Sequence, residues 1–367
     1  MKILFINSVP ETMSNPAYSR HVVLKKLLSQ VGDVLSLNLY KKKNFLKKVI
    51  YFLCSKRLLK KELNKVHFET IDAVVLTTIS YPAMKYIKKI STKYKKTLVI
   101  DCVEWASPEE KKLGKMSPSY IHNTRIIEHL IDKNVRTISI SSYLASYFKS
   151  KGVKTAIIPN LVDVNLLSYQ KKQENKKIEL LFAGYPQKKD AINIVIEGAL
   201  LLNENDQEMI NLTIAGIDEK SFFNKFKYLS QKTEDIKKIT NFVGIVSSDS
   251  VKDLYIHADF SVLLRNDSLR VCKAGFPTKL LDSFKYSTPM IANSSSDIKQ
   301  YLIDEKSGFL VKGFSAKAFA DTLRTIIALR KTNKLNIEEL SKTAFNTCLN
   351  NFNYLFYVDI ISALLHD

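Results

Sequence analysis

Residues 262–301 read VLLRNDSLRVCKAGFPTKLLDSFKYSTPMIANSSSDIKQY, and this stretch says most about the chain. An apolar run ends at Leu264, as a buried strand does. A polar loop follows, with two of the chain's eight arginines, Arg265 and Arg270. Gly275 permits a tight backbone path. Pro277 suits the first position of a helix, because its fixed φ presets the turn. Thr278 and Lys279 then fall in the first helical turn, where a basic residue opposes the helix dipole. An anion at that place reverses the penalty, since free N–H groups, a hydroxyl and an ammonium converge on a phosphate. The alternative is a surface turn with chance charges. A further apolar run, Pro289–Ala292, reads as the next strand. Strand, helix and strand in this order are the repeating unit of a parallel sheet.

Outward from this stretch the alternation persists. In the second half, Ile178–Ala183, Asn211–Ala215, Thr240–Gly244, Phe260–Leu264, Pro289–Ala292 and Gly308–Val311 read as strands with helical patterns between them. In the first half, Lys2–Ser8, Asp33–Leu39, Ile71–Thr78, Thr97–Asp101, Val135–Ile140 and Lys154–Ile158 do the same. Near-continuous apolar strands separated by helices indicate parallel sheets covered on both faces. The polar, aperiodic YQKKQENKK at 169–177 reads as a linker. The expected organisation is α/β. One doubly wound, Rossmann-like domain covers 1–168, the linker covers 169–177, and a second such domain covers 178–350. A helical segment over 351–367 is expected to return to the first domain. Sheets of this kind bind ligands beyond the carboxyl ends of their strands and in a cleft between domains.

Composition removes other classes. Hydrophobic residues make up 46% of the 367 and aromatic residues 10%, too many for a disordered chain. No uncharged apolar run approaches the ~18 residues that cross a bilayer. MKILFINSVPE reads as a first strand rather than a secretory signal. Cys54, Cys102, Cys272 and Cys348 lie far apart without a CxxC pair, which argues against a disulfide framework or a zinc site and fits a reducing cytoplasm. The six histidines form no HxxxH or HExxH pattern, so no metal site is expected. Neither GxSxG nor a P-loop occurs, which leaves hydrolase and nucleotide-hydrolysing readings without support.

Residues 274–293, AGFPTKLLDSFKYSTPMIAN, resemble the nucleotide-sugar motif of glycosyltransferase family 4, the group 1 transferases of GT-B fold, in the form FPTKL found in bacterial surface-polysaccharide pathways. Other segments are similar as well: Ile138–Ser142, IPNLVD at 158–163, LFAGYPQKKD at 181–190, Asn241–Gly244, Leu254–Phe260 and Ser307–Leu310. The resemblance implies two Rossmann-like domains facing a central cleft. It implies a donor diphosphate held by Gly275, Phe276, Pro277, Thr278 and Lys279, with Lys188 or Lys189 in the loop after Gly184 on the same group. Arg265 is a second candidate contact, because its planar fork matches phosphate oxygens, and Arg270 lies in the same loop. The family's pair of glutamates, spaced E-x7-E, maps onto Ala274 and Asp282. Asp282 keeps the capacity to accept ribose hydroxyls and Ala274 does not. The resemblance further implies retention of configuration and no metal or cofactor beyond the donor.

In the first half, TLVIDCVEW at 97–105 is a strand followed by acids. Relatives often read D-x-H-E here, and Val103 stands at the histidine. Asp101 and Glu104, at the carboxyl end of a strand, suit acceptor hydroxyls or a base. The alternative is loop capping or pairing with nearby cations. Ser14 or Asn15 is placed to cap the helix that begins near Pro16.

The net charge is +20, and residues 1–170 carry 29 basic and 12 acidic residues of it. Lys41–Val66 alone holds ten basic residues and one acid. Phe45, Leu46, Val49, Ile50, Phe52 and Leu53 share one helical face, as in a helix that lies on an anionic membrane. The alternative is a domain helix with its lysines in water. Charge alone also fits nucleic acid, but the Arg-rich and RNP patterns of such proteins are missing. The expected protein is a cytoplasmic, membrane-peripheral hexosyltransferase that uses a UDP-sugar and a saccharide or lipid-linked saccharide acceptor. The alternatives are a catalytically weak GT-B-like subunit that supports a partner transferase, or a transferase that modifies protein glycans.

Overall fold

Six short strands open the chain. In the computed structural model they are β1 (Lys2–Asn7), β2 (Asp33–Asn38), β3 (Ala73–Leu76), β4 (Thr97–Cys102), β5 (Arg136–Ser139) and β6 (Thr155–Ile157). Residues 1–11, 16–40, 55–77, 79–173 and 175–366 are described. All pairings are parallel, in the order β2-β1-β3-β4-β5-β6. Ile3–Ile6 are fully buried because helices cover both faces of the sheet. Two of these helices start on serine caps. The Ser80 hydroxyl accepts from the Ala83 N–H ahead of Tyr81–Lys93, and the Ser141 hydroxyl from the Leu144 N–H ahead of Ser142–Ser150.

This first unit comprises Met1–Asp163, Ala274–Phe276 and Phe352–Asp367. Its core includes Ile3, Phe5, Leu24, Val75, Val99 and Ile138 together with Ile361, Leu364 and Leu365 of the last helix, Val358–His366. Arg136 donates to the Leu364 carbonyl at 2.6 Å and Lys154 to that of Ala363 at 3.3 Å. Cations thereby meet the last carbonyls, at the negative end of the helix dipole.

The second unit comprises Val164–Lys273 and Pro277–Asn351. Its strands are β7 (Ile178–Ala183), β8 (Ile210–Ala215), β9 (Thr240–Gly244), β10 (Phe260–Leu263), β11 (Met290–Asn293) and β12 (Gly308–Val311). They pair in parallel as β12-β11-β10-β7-β8-β9. This is the Rossmann order, whereas the first unit has the other common doubly wound order. The order reverses between β7 and β10, so the ligand site of the second unit is expected where these two strands end.

The expected linker, 169–177, belongs to the second unit from its start at Val164. Polar composition at Lys172 marks a buried cation rather than an exposed spacer. The Lys172 ammonium donates to the carbonyls of Tyr255, Ile256 and Ala258 and to the Thr288 hydroxyl, at 2.9, 2.9, 2.8 and 2.9 Å. Burial pushes its pKa down to about 7. The basic segment 41–66 falls mostly outside the described residues, as do Ser14 and Asn15. Its described end is helical over 55–63, with Leu59 and Leu63 buried. Among the described residues no helix is long and apolar enough to cross a membrane.

Candidate functional site

At the switch point of the second unit, the loop after β7 meets the loop after β10. Asp190 and Arg265 form an isolated antiparallel bridge, and the Ala191 N–H donates to the Leu264 carbonyl at 2.9 Å. Asn293, at the end of β11, closes the other side. Its Oδ1 accepts from the Arg265 N–H and its Nδ2 donates to the Arg265 carbonyl, each at 2.8 Å. The Arg265 backbone is thus held on two sides, and only 3% of the residue is exposed.

The Asp190 carboxylate lies between two cations. Oδ2 accepts from Lys279 Nζ at 2.6 Å, and Oδ1 is 3.6 Å from Arg265 Nε. Burial pushes the Asp190 carboxyl up, but the charges of Lys279 and Arg265 outweigh it and hold the pKa below the usual range. Lys279 stands in the first turn of the helix Thr278–Lys285. Pro277 is the residue before that helix, one place earlier than expected, with φ −75° and ψ 106°. Lys279 Nζ lies 5.2 Å from the centre of the Phe182 ring, and its stem runs beside Gly184. A Cβ at Gly184 would stand 3.3 Å from Lys279 Cε, and the φ of +115° there favours glycine. Gly216 is equally constrained, since a Cβ there would stand 2.6 Å from the Gly184 carbonyl carbon. The two glycines let the ends of β7 and β8 close up and leave room for the Lys279 stem. A buried arginine and a partly exposed lysine about one buried carboxylate, at a helix start and a switch point, are suited to bind an anion.

Residues 166–342 match the family model described as glycosyl transferases group 1. The match lies within the second unit, Ala274–Phe276 aside. Over its whole length the chain shares the GT-B fold with solved glycosyltransferases. One is HepE of Anabaena, crystallised with UDP-glucose: 14% identity, TM-score 0.69, covering 100% of this chain and 99% of HepE. Another is sucrose-phosphate synthase of Thermosynechococcus elongatus, at 14%, 0.70, and 99% and 98% coverage. A third is WaaG, a glycosyltransferase involved in lipopolysaccharide biosynthesis, at 14%, 0.66, and 99% of both chains. No curated protein matches the chain by sequence.

Within the second unit, Gly184, Arg265 and Lys279 come together around Asp190, and Thr278 precedes Lys279 in the same helical turn. Lys188 is exposed on the same loop and Lys189 half-buried. The Lys189 carbonyl faces the Cys272 thiol at 3.8 Å. Arg270 is half-buried at the start of a short helix, Arg270–Ala274. Asp282, expected to face a ribose, pairs with Lys285 at 2.6 Å along its own helix. Ala274, Gly275 and Phe276 group with the first unit. There the Ser141 hydroxyl donates to the Ala274 carbonyl at 2.7 Å, and the Phe276 ring stands 5.7 Å from that of Phe352.

In the first unit, Asp101 pairs with a cation, one of the alternatives weighed for it. Its two carboxylate oxygens take the Arg20 guanidinium, from Nη2 at 2.6 Å and from Nε at 2.9 Å. Both side chains are buried, at 7% and 2% exposure. In this geometry Asp101 serves as the counter-ion of Arg20. Glu104 stands exposed on the loop after β4, where its carbonyl accepts from Asn123 at 3.3 Å. Sequence reasoning missed Asp190, Asn293 and Arg20. Asp190 carried no local signal, because an acid after two lysines is ordinary on a surface and its partner Lys279 is 89 residues away. Arg20 carried none, because its partner is 81 residues away.

Proposed function

We propose that the protein is a retaining hexosyltransferase that moves a hexose from a UDP-sugar to a saccharide acceptor carried on a lipid, in the synthesis of a cell-surface polysaccharide or glycoconjugate. The observation that carries this reading is the cation cluster at the switch point of the second unit. There Lys279 stands at a helix start beside Arg265 and Asp190. The HepE fold, crystallised with UDP-glucose, supports the choice of donor. As the bond between the sugar's anomeric carbon and the β-phosphate breaks, negative charge grows on the departing diphosphate. The Lys279 ammonium, the Thr278 hydroxyl and the first N–H groups of Thr278–Lys285 stabilise that charge, and the reaction is taken as metal-independent on this account.

A panel of UDP-, GDP- and ADP-sugars tested by thermal shift is the direct check. A donor at a hundred times its Kd adds about 2.7 kcal/mol of apparent stability. One nucleotide series is expected to raise Tm, and no response to any would refute the reading. A second reading, a donor-binding subunit that supports a partner transferase, is favoured by Ala274 and Val103 at family glutamate and histidine positions. Donor hydrolysis or sugar transfer by the purified protein separates the two.

The site of action in this reading is the inner face of the plasma membrane. The ten basic residues of Lys41–Val66 support it. So do Leu113 and Met116, 66% and 80% exposed, among the exposed Lys112 and Lys115. Flotation with anionic vesicles is expected to carry the protein upward, and Lys47→Glu with Lys48→Glu and Met116→Ser to abolish this. Binding indifferent to these changes, or to vesicle charge, defeats the membrane assignment.

A further inference from the structure

We infer that Asp190 is a positioning residue for the donor: it holds the Lys279 ammonium at the place where the diphosphate meets it. This rests on the reading of the Lys279 site as the diphosphate site. The two partners differ in freedom. Asp190 is 7% exposed and fixed through its backbone, which donates to the Gln187 carbonyl at 3.1 Å and bridges to Arg265. Arg265 is fixed in turn by Asn293. Lys279 ends on a four-carbon stem with many rotamers, and 17% of its side chain is exposed. The contact at 2.6 Å therefore orders the lysine, not the aspartate.

An ammonium has three donors, and one bond to a carboxylate leaves capacity for phosphate oxygens. The carboxylate also reaches Arg265 from its other oxygen, so it offsets the repulsion between two cations gathered in a poorly solvated place. Without it the ammonium leaves for solvent, where a salt bridge to phosphate is worth little. Gly184 completes the arrangement, because its bare Cα leaves the stem its path.

The sign of the effect distinguishes this role from simple charge addition. Removing an acid from an anion site should tighten anion binding if only net charge counts. Positioning demands the opposite. Asp190→Asn is expected to weaken UDP and inorganic pyrophosphate binding, measured by calorimetry, about tenfold or more. Asp190→Glu keeps the charge and is expected to recover part of the loss. In a Lys279→Ala background, Asp190→Asn is expected to change UDP affinity less than twofold, because its effect runs through the lysine. Unchanged or tighter UDP binding by Asp190→Asn overturns the inference, and so do losses that add in the double variant. If Asp190→Asn does not fold, the Asp190→Glu variant with and without Lys279→Ala gives the same cycle. Lys279→Ala that binds UDP like the wild type sinks the diphosphate assignment itself, and this inference with it. A Lys279→Ala loss without an Asp190→Asn loss sinks the inference alone.

Discussion

Lys279→Ala is expected to lower turnover about 10²-fold or more and to leave the fold in place. The magnitude follows from removing one preorganised donor aimed at developing negative charge, an effect of about 10²–10³ in related anion-stabilising sites. The variant keeps its fold because the carboxylate it deserts is not left alone. Asp190 Oδ1 still has Arg265 Nε at 3.6 Å, and Lys279 is partly exposed at the outset. Single-turnover rates with the donor found in the thermal panel are the measurement, with Tm as the control. Two results carry different meanings. A Tm within a few degrees of wild type and turnover down by about two orders of magnitude place Lys279 at the reacting diphosphate. Equal turnover in a folded variant removes it from the site, and with it the function proposed for the loop.

The fold was legible because periodicity is local. β7, β9 and β12 match their expected bounds residue for residue, and every other strand lies within two residues of its expected ends. Burial on both faces makes such strands uniformly apolar, and that signature needs no knowledge of partners. The helix Ile337–Phe352 was not expected. Its sequence, IEELSKTAFNTCLNNF, mixes Thr and Asn into the apolar pattern, and these residues have weak intrinsic preference for helix. Packing makes up the difference, since Leu340 joins the core of the second unit. The candidate site was half legible. Lys279 stands out because a cation at a helix start is locally unfavourable and so calls for an anion, Thr278 because its hydroxyl shares that turn, and Arg265 because its fork matches phosphate oxygens. Asp190 does not, because an acid after two lysines is ordinary on a surface. Only the bridge between the β7 and β10 loops turns it into the buried partner of Lys279 and Arg265. The two readings of Asp101 stayed open for the same reason. A carboxylate at the carboxyl end of a strand looks like a site residue until its long-range partner is known.

That partner sets the second large effect. Arg20→Met or Asp101→Asn, made singly, is expected to cost about 3–5 kcal/mol, because each leaves the other partner without its ionic bond in a place water barely reaches. Arg20 also donates to the carbonyls of Ile158 and Pro159, at 3.1 and 2.7 Å, so its loss unties the helix Pro16–Leu28 from the end of β6 as well as from β4. The loss is therefore expected to be larger for Arg20→Met than for Asp101→Asn, which keeps an acceptor for the guanidinium. The chain has one tryptophan, Trp105, buried in the first unit with its ring 4.3 Å from that of Tyr147. Its fluorescence in urea reports the unfolding of this unit rather than of the second. A lower midpoint with an unchanged slope reads as lost stability. The double change Arg20→Met with Asp101→Leu is expected to recover much of the deficit, since apolar replacement of a whole buried pair is often neutral. The opposite pattern, full stability and no sugar transfer in Asp101→Asn, would return Asp101 to the reaction. Loss of stability explains any loss of activity only if the folded fraction, followed through Trp105, accounts for it at the assay temperature.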